Sequence, residues 1–125
     1  MASFSALELI KEPADLIKAS LNHHKLGNIE LALSGYQLVL SKIPNTSEVA
    51  STINSNLGAI YMSKGEWESA KTYFLAATEC EQATASAYFN LAVVLTSKLN
   101  QHAKAIKYCG IAMRKAPTYH KAGEK

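Results

Sequence analysis

The dipeptide Asn56-Leu57 returns as Asn90-Leu91 after 34 residues, and this interval constrains the fold more than any other feature of the chain. Around its first occurrence, Leu57-Gly58, Tyr61, Gly65, Ala70, Phe74 and Ala77 form two apolar runs broken at Lys64-Gly65. Each run has the three-to-four-residue spacing of an amphipathic helix, and a glycine behind a lysine is a helix stop. Asn54 to Gln82 therefore reads as a helix-turn-helix unit. Two short helices cannot bury their own apolar stripes, so such a unit is stable only when copies stack on it.

The copies are present on both sides. Ala70 and Ala77 recur as Ala105 and Ala112 after 35 residues, which places one inserted residue near Leu99-Asn100-Gln101, between the helices of the last copy. A loop takes such an insertion at little cost. Upstream, Gly27, Ala32, Tyr36 and Val39 precede Gly65, Ala70, Phe74 and Ala77 by 38 residues each and define a first copy. The four extra residues fall after Pro44, where Asn45 is expected as a helix cap with Glu48 three positions on, lengthening the next helix by about one turn. Six helices are predicted, at about 13–25, 28–42, 46–64, 66–80, 84–99 and 101–115. Apolar stripes such as Leu31, Tyr36, Leu38 and Val39 face the core, and Ser20, Ala32, Gly58, Ala70, Ala92 and Ala105 stand where helices cross closely. Residues 1–12 form a leader in which Ser5 to Ile10 is expected as a short helix, and Pro13 suits the first turn of the next.

Composition agrees with one folded, helical domain. Apolar residues make up 48% and charged residues 18%, with only three prolines and six glycines, a balance foreign to disordered chains. No apolar run approaches the ~20 residues that cross a bilayer, and the first residues lack a basic leader with a long apolar run. Cys80 and Cys109 lie inside helical patterns, outside any metal-ligand spacing, and are expected as buried, reduced thiols of a cytoplasmic or nuclear protein. The net charge of +3 is uneven: residues 1–97 hold six lysines against nine acids, whereas 98–125 hold seven Lys or Arg against Glu124 alone. Lys104, Lys107, Arg114 and Lys115 could draw an acidic partner or nucleic acid, although a basic last helix is more often simply a solvated face.

No constellation supports catalysis, a metal or a cofactor. His23 and His24 are adjacent, so on a helix they point about 100° apart and cannot chelate as an i, i+4 pair does. No nucleophile motif or glycine-rich phosphate loop is present. Trp67, Tyr61, Tyr73 and Tyr88 read as packing residues. Gly110, costly inside a helix by about 1 kcal/mol against Ala, is expected to mark close packing by a following element that this chain lacks.

The positions Leu57-Gly58, Tyr61, Gly65, Ala70, Phe74 and Ala77 resemble the tetratricopeptide repeat, whose helix pair recurs every ~34 residues. The resemblance covers residues 13–118, in copies 13–46, 51–84 and 85–118, and is strongest in the middle copy. It implies an all-α fold, a right-handed α-α superhelix of three helix-turn-helix units whose first helices line a concave groove. It also implies a non-catalytic adaptor or scaffold that binds a protein or peptide partner and needs no cofactor. Residues 119–125, with Thr118 to Lys121, are expected to open a capping helix that the chain does not finish. Such an end leaves the last face to a partner or a second copy of the chain, or marks a piece of a longer protein, such as a regulatory or targeting domain of a larger enzyme or complex.

By the same resemblance the groove takes Ile17, Lys18, Leu21, His24 and Lys25 from the first copy. The second gives Thr52, Ser55, Asn56, Ala59 and Met62, and the third Ser86, Phe89, Asn90 and Val93. Asn56 and Asn90 carry the sharpest expectation. A carboxamide both donates and accepts, so two of them one repeat apart can hold the backbone of an extended peptide whatever its side chains. Chaperone adaptors of the family clamp a terminal carboxylate with lysines, an arginine and asparagines; the corresponding residues here are Ile17, Leu21, Asn56, Ser86 and Asn90. Only Asn56 matches, and without the cations a carboxylate has no charge-assisted partner, so that ligand class is not expected. RNA reading in the manner of the related pentatricopeptide repeats needs many more tandem copies, and nucleic acid is not expected as a partner.

Overall fold

The computed structural model describes residue 7 and residues 9–80, 83–98 and 100–115. Among these residues stand six helices and no strand: α1 Pro13–Lys25, α2 Ile29–Lys42, α3 Glu48–Ser63, α4 Trp67–Ala77, α5 Ala85–Ser97 and α6 His102–Lys115. Each predicted helix is found, and α1 pairs with α2, α3 with α4 and α5 with α6. The chain divides into two units, Met1–Asn45 and Thr46–Lys125.

In the first unit, α1 starts on Pro13, whose missing N–H costs nothing at a helix start, behind the extended Glu12. It ends at Gly27, where φ is +85°; the Asn28 N–H reaches back to the His23 carbonyl (2.8 Å) and the Gly27 N–H to that of His24 (3.1 Å). This is the paired-bond helix ending that a left-handed glycine permits. The helices cross at Ser20 and Gly35. The Ser20 hydroxyl satisfies itself on the Leu16 carbonyl at 2.8 Å, and a Cβ on Gly35 would collide with that hydroxyl. Leu16, Ala32, Tyr36 and Val39 are fully buried around the crossing. Of the expected leader helix, most lies outside the described residues; Leu7 is buried and Leu9 exposed.

In the second unit, α3 is capped by Ser47, not by Asn45 as the sequence suggested: the extended Ser47 accepts the Ala50 N–H on its Oγ at 3.1 Å, so the helix starts two residues later. At 16 residues α3 still exceeds α1 and α5, 13 each, by nearly the extra turn expected. Gly65, with φ +80°, repeats the ending seen at Gly27, its neighbour Glu66 bonding back to Tyr61 at 2.9 Å. Gly58 lets α3 and α4 meet, because a Cβ there would stand 2.6 Å from the Phe74 ring. Tyr61 and Tyr73 stack beside that crossing with ring centroids 5.3 Å apart.

Helix α4 stops at Ala77, three residues short of its predicted end. The orphan carbonyls of a helix end must find donors: the Thr78 and Glu79 N–H groups meet those of Phe74, Leu75 and Ala76, and the next two find donors on other helices. The buried Ser51 hydroxyl of α3 donates to the Ala77 carbonyl at 2.6 Å, and the Tyr88 hydroxyl of α5 donates to that of Thr78 at 3.2 Å. Helix α5 then starts behind Thr84, which accepts the Ala87 N–H. Leu91, Val94 and Leu95 of α5 pack on Ala70 and Phe74 of α4, with Ala105 of α6 completing the cluster and Trp67 partly buried at its edge beneath the Lys98 ammonium.

The third turn shows the inserted residue directly. Asn100 adopts φ +54° where the other two turns use glycine, and the returning bond runs from the Gln101 N–H to the Leu95 carbonyl (2.8 Å), spanning one residue more than its counterparts. Asparagine is among the few side chains that tolerate this region. Small residues foreseen at crossings (Ser20, Ala32, Gly58, Ala70, Ala92 and Ala105) are all buried. One expectation fails: Cys109 is only half-buried. Among the described residues a Cβ on Gly110 would meet nothing closer than the Arg114 guanidinium at 3.9 Å. The expected helix opening at Thr118 lies outside the described residues.

Candidate functional site

Asn56 on α3 and Asn90 on α5 occupy equivalent places for a geometric reason. Each immediately precedes a leucine, Leu57 or Leu91, that is fully buried. One helical residue turns the chain by about 100°, so each buried leucine fixes its asparagine at the margin of the core. Both asparagines are half-buried, and among the described residues neither carboxamide makes a hydrogen bond within the chain. Helices α3 and α5 also touch directly, which keeps the two margins on neighbouring elements. The elements beneath are anchored, α3 by its Ser47 cap and its close approach to Phe74 at Gly58, α5 by its Thr84 cap and the leucine cluster.

The other predicted groove residues divide. Ser55 is half-buried next to Asn56, and Met62 packs partly buried against the leucine cluster. Phe89 is exposed and lines a separate recess with Cys109 and Met113. In the first unit Lys18, Leu21 and Lys25 lie exposed on α1, while His24 is engaged: its Nδ1 stands 2.9 Å from the Tyr36 hydroxyl. His23 is held by Asn28 at 3.3 Å. The histidine pair is thus spent on structure, and among the described residues no group of three or more His, Cys, Asp or Glu is placed to hold a metal. None of their helices is long and apolar enough to cross a membrane.

Sequence reasoning passed over two buried polar residues beside the site, Ser51 and Asn54, five and two residues before Asn56. Their small or amide side chains resemble those of surface positions, and only the pairing with the end of α4 reveals the role of Ser51.

A profile of the tetratricopeptide repeat matches residues 51–83 and 85–110, the two copies that carry Asn56 and Asn90. Over these residues the chain belongs to the tetratricopeptide-repeat family. The profile does not extend to the first helix pair, whose likeness to the other two rests on its Gly27 ending and its Ser20–Gly35 crossing. No curated protein matches the chain. Tetratricopeptide repeats typically serve as non-catalytic modules of protein–protein interaction.

Proposed function

We propose that this tetratricopeptide-repeat chain is a protein-interaction module that holds an extended peptide by its backbone, using Asn56 and Asn90 as successive rungs. One observation supports the reading above others: two carboxamides one repeat apart are half-buried at equivalent margins and, among the described residues, make no hydrogen bond within the chain. Each can accept a peptide N–H and donate to a peptide carbonyl. Ser55 and Met62 flank the first rung. A terminal carboxylate clamp is not part of this function, since Ile17, Leu21 and Ser86 stand where its side chains would be needed.

The test starts from a peptide selected on the folded 125-residue chain from a random library. Its affinity for the parent is then compared with that for the Asn56→Ala/Asn90→Ala variant; the reading requires the affinity to fall.

A further inference from the structure

Helices α4 and α6 both pack on α5, and among the three lies a recess of about 180 Å³ that the asparagine ladder does not use. Its lining combines two kinds of side chain. The buried Leu91 and Leu95 of α5 form an apolar floor beside Tyr108 of α6. Lys71 of α4, Lys104 and Lys107 of α6, and Gln101 just before α6 supply the polar part. The repeat itself does not call for these cations: Ser69 and Thr72 of the second copy stand 35 residues before Lys104 and Lys107.

Charge selects the kind of ligand. Three lysines line the recess, and Glu68 is the only Asp or Glu on α4, α5 or α6, so three ammonium groups against one carboxylate leave two positive charges. Glu68 stands 3.3 Å from the Lys71 ammonium, but its side chain is 73% exposed, and a pair so open to water is weak enough to yield to a better-placed anion. The Lys107 ammonium lies 5.4 Å from the ring centroid of Tyr108, which keeps its charge beside the recess. Helix α6 has no acid in its first turn, so the positive end of its dipole adds to the same field next to Gln101. The Gln101 Oε1 is shut off from solvent and, among the described residues, accepts no hydrogen bond. An ammonium has three N–H donors, so a lysine drawn inward by an anion can bond the anion and this oxygen together.

Size and floor select the rest. A void on the order of 150 Å³ takes one benzene ring, so the recess suits a single ring with its charged group at the lysines. Ammonium groups are point charges that impose no planar fork, which suits a tetrahedral anion. A phosphate monoester carries about −1.5 to −2 at neutral pH and matches the two charges left over, whereas a carboxylate supplies one. We infer that the recess among α4, α5 and α6 binds a phosphate monoester of a single apolar ring, free or as a phosphorylated tyrosine side chain. The ring rests on Leu91, Leu95 and Tyr108, and the phosphate sits among Lys71, Lys104 and Lys107.

The probe is phenyl phosphate, titrated into the full chain by calorimetry. Benzoate, inorganic phosphate and benzyl alcohol serve as the monoanion on the same ring, the phosphate without a ring and the ring without a charge. Phenyl phosphate is expected to bind at least about tenfold tighter than each of them, since ring burial and the charged bonds both contribute. In Lys104→Gln/Lys107→Gln its affinity should fall at least about tenfold. Both lysines are exposed, and an unchanged circular dichroism melt shows that the variant is folded. Asn56→Ala/Asn90→Ala should bind phenyl phosphate as the parent does, which separates this site from the backbone ladder. Affinity for any of the three controls equal to that for phenyl phosphate, or phenyl phosphate binding indifferent to the lysine variant, overturns the inference. A short peptide with a central phosphotyrosine distinguishes the sources. Binding of the peptide at least as tight as that of phenyl phosphate assigns the site to a modified protein, binding of phenyl phosphate without the peptide assigns it to a free ester, and binding of neither overturns the inference.

Discussion

The Ser51 hydroxyl donates a 2.6 Å hydrogen bond to the Ala77 carbonyl, so the first helix of the second repeat closes the end of the helix that follows it. Both groups are buried. Ser51→Ala would leave a carbonyl without a donor away from water, a loss of about 1–3 kcal/mol. Urea unfolding should show a lower midpoint with an unchanged slope, since the exposed surface on unfolding is the same.

Two glycines in helices should respond to alanine with opposite signs. At Gly58 the new methyl would stand 2.6–2.9 Å from three atoms of the Phe74 ring. Overpacking of that kind costs about 1–3 kcal/mol and outweighs the gain in helix propensity, about 1 kcal/mol. At Gly110 the methyl meets only the Arg114 guanidinium, so the propensity gain stands alone and Gly110→Ala should raise stability by up to about 1 kcal/mol. Thermal melts of the two variants beside the parent decide the matter: shifts of the same sign would contradict the packing described for one of them.

The turns make a third prediction. Gly65 and Asn100 both sit at positive φ, +80° and +54°. Alanine at either position forces a β-carbon into the left-handed region, at about 1 kcal/mol or more, whereas Asn100→Gly should be tolerated. Chemical denaturation of the three variants checks this, and a neutral Asn100→Ala would show that the inserted residue is not what shapes the third turn.

Much of this fold was legible in the chain because the repeat leaves its mark on residues that cannot be exchanged: glycines at turns, small side chains at crossings, leucines at a 34-residue interval. The single insertion could be located within three residues from the change of step between Ala70–Ala105 and Asn56–Asn90, and Asn100 confirms it. What escaped were interactions between polar atoms distant in sequence. The carbonyls at the end of α4 take donors from Ser51 and Tyr88, neither of which carries a local signal for capping a helix 26 or 10 residues away. Ser47 displaced Asn45 as the cap because both are good capping residues and only backbone geometry chooses between them. At the site, the equivalence of Asn56 and Asn90 was readable from their leucine neighbours, while the divergence of Phe89 toward Met113 required the packing of α5 on α6.

The central claim, backbone capture by Asn56 and Asn90, is tested most directly by the dissociation constant of a library-selected peptide for the parent and for Asn56→Ala/Asn90→Ala, measured by titration calorimetry with melts run alongside. Losing two hydrogen-bonding side chains at about 1 kcal/mol each predicts roughly thirty-fold weaker binding, with little change in stability because neither carboxamide makes a hydrogen bond among the described residues. An unchanged dissociation constant would contradict the account.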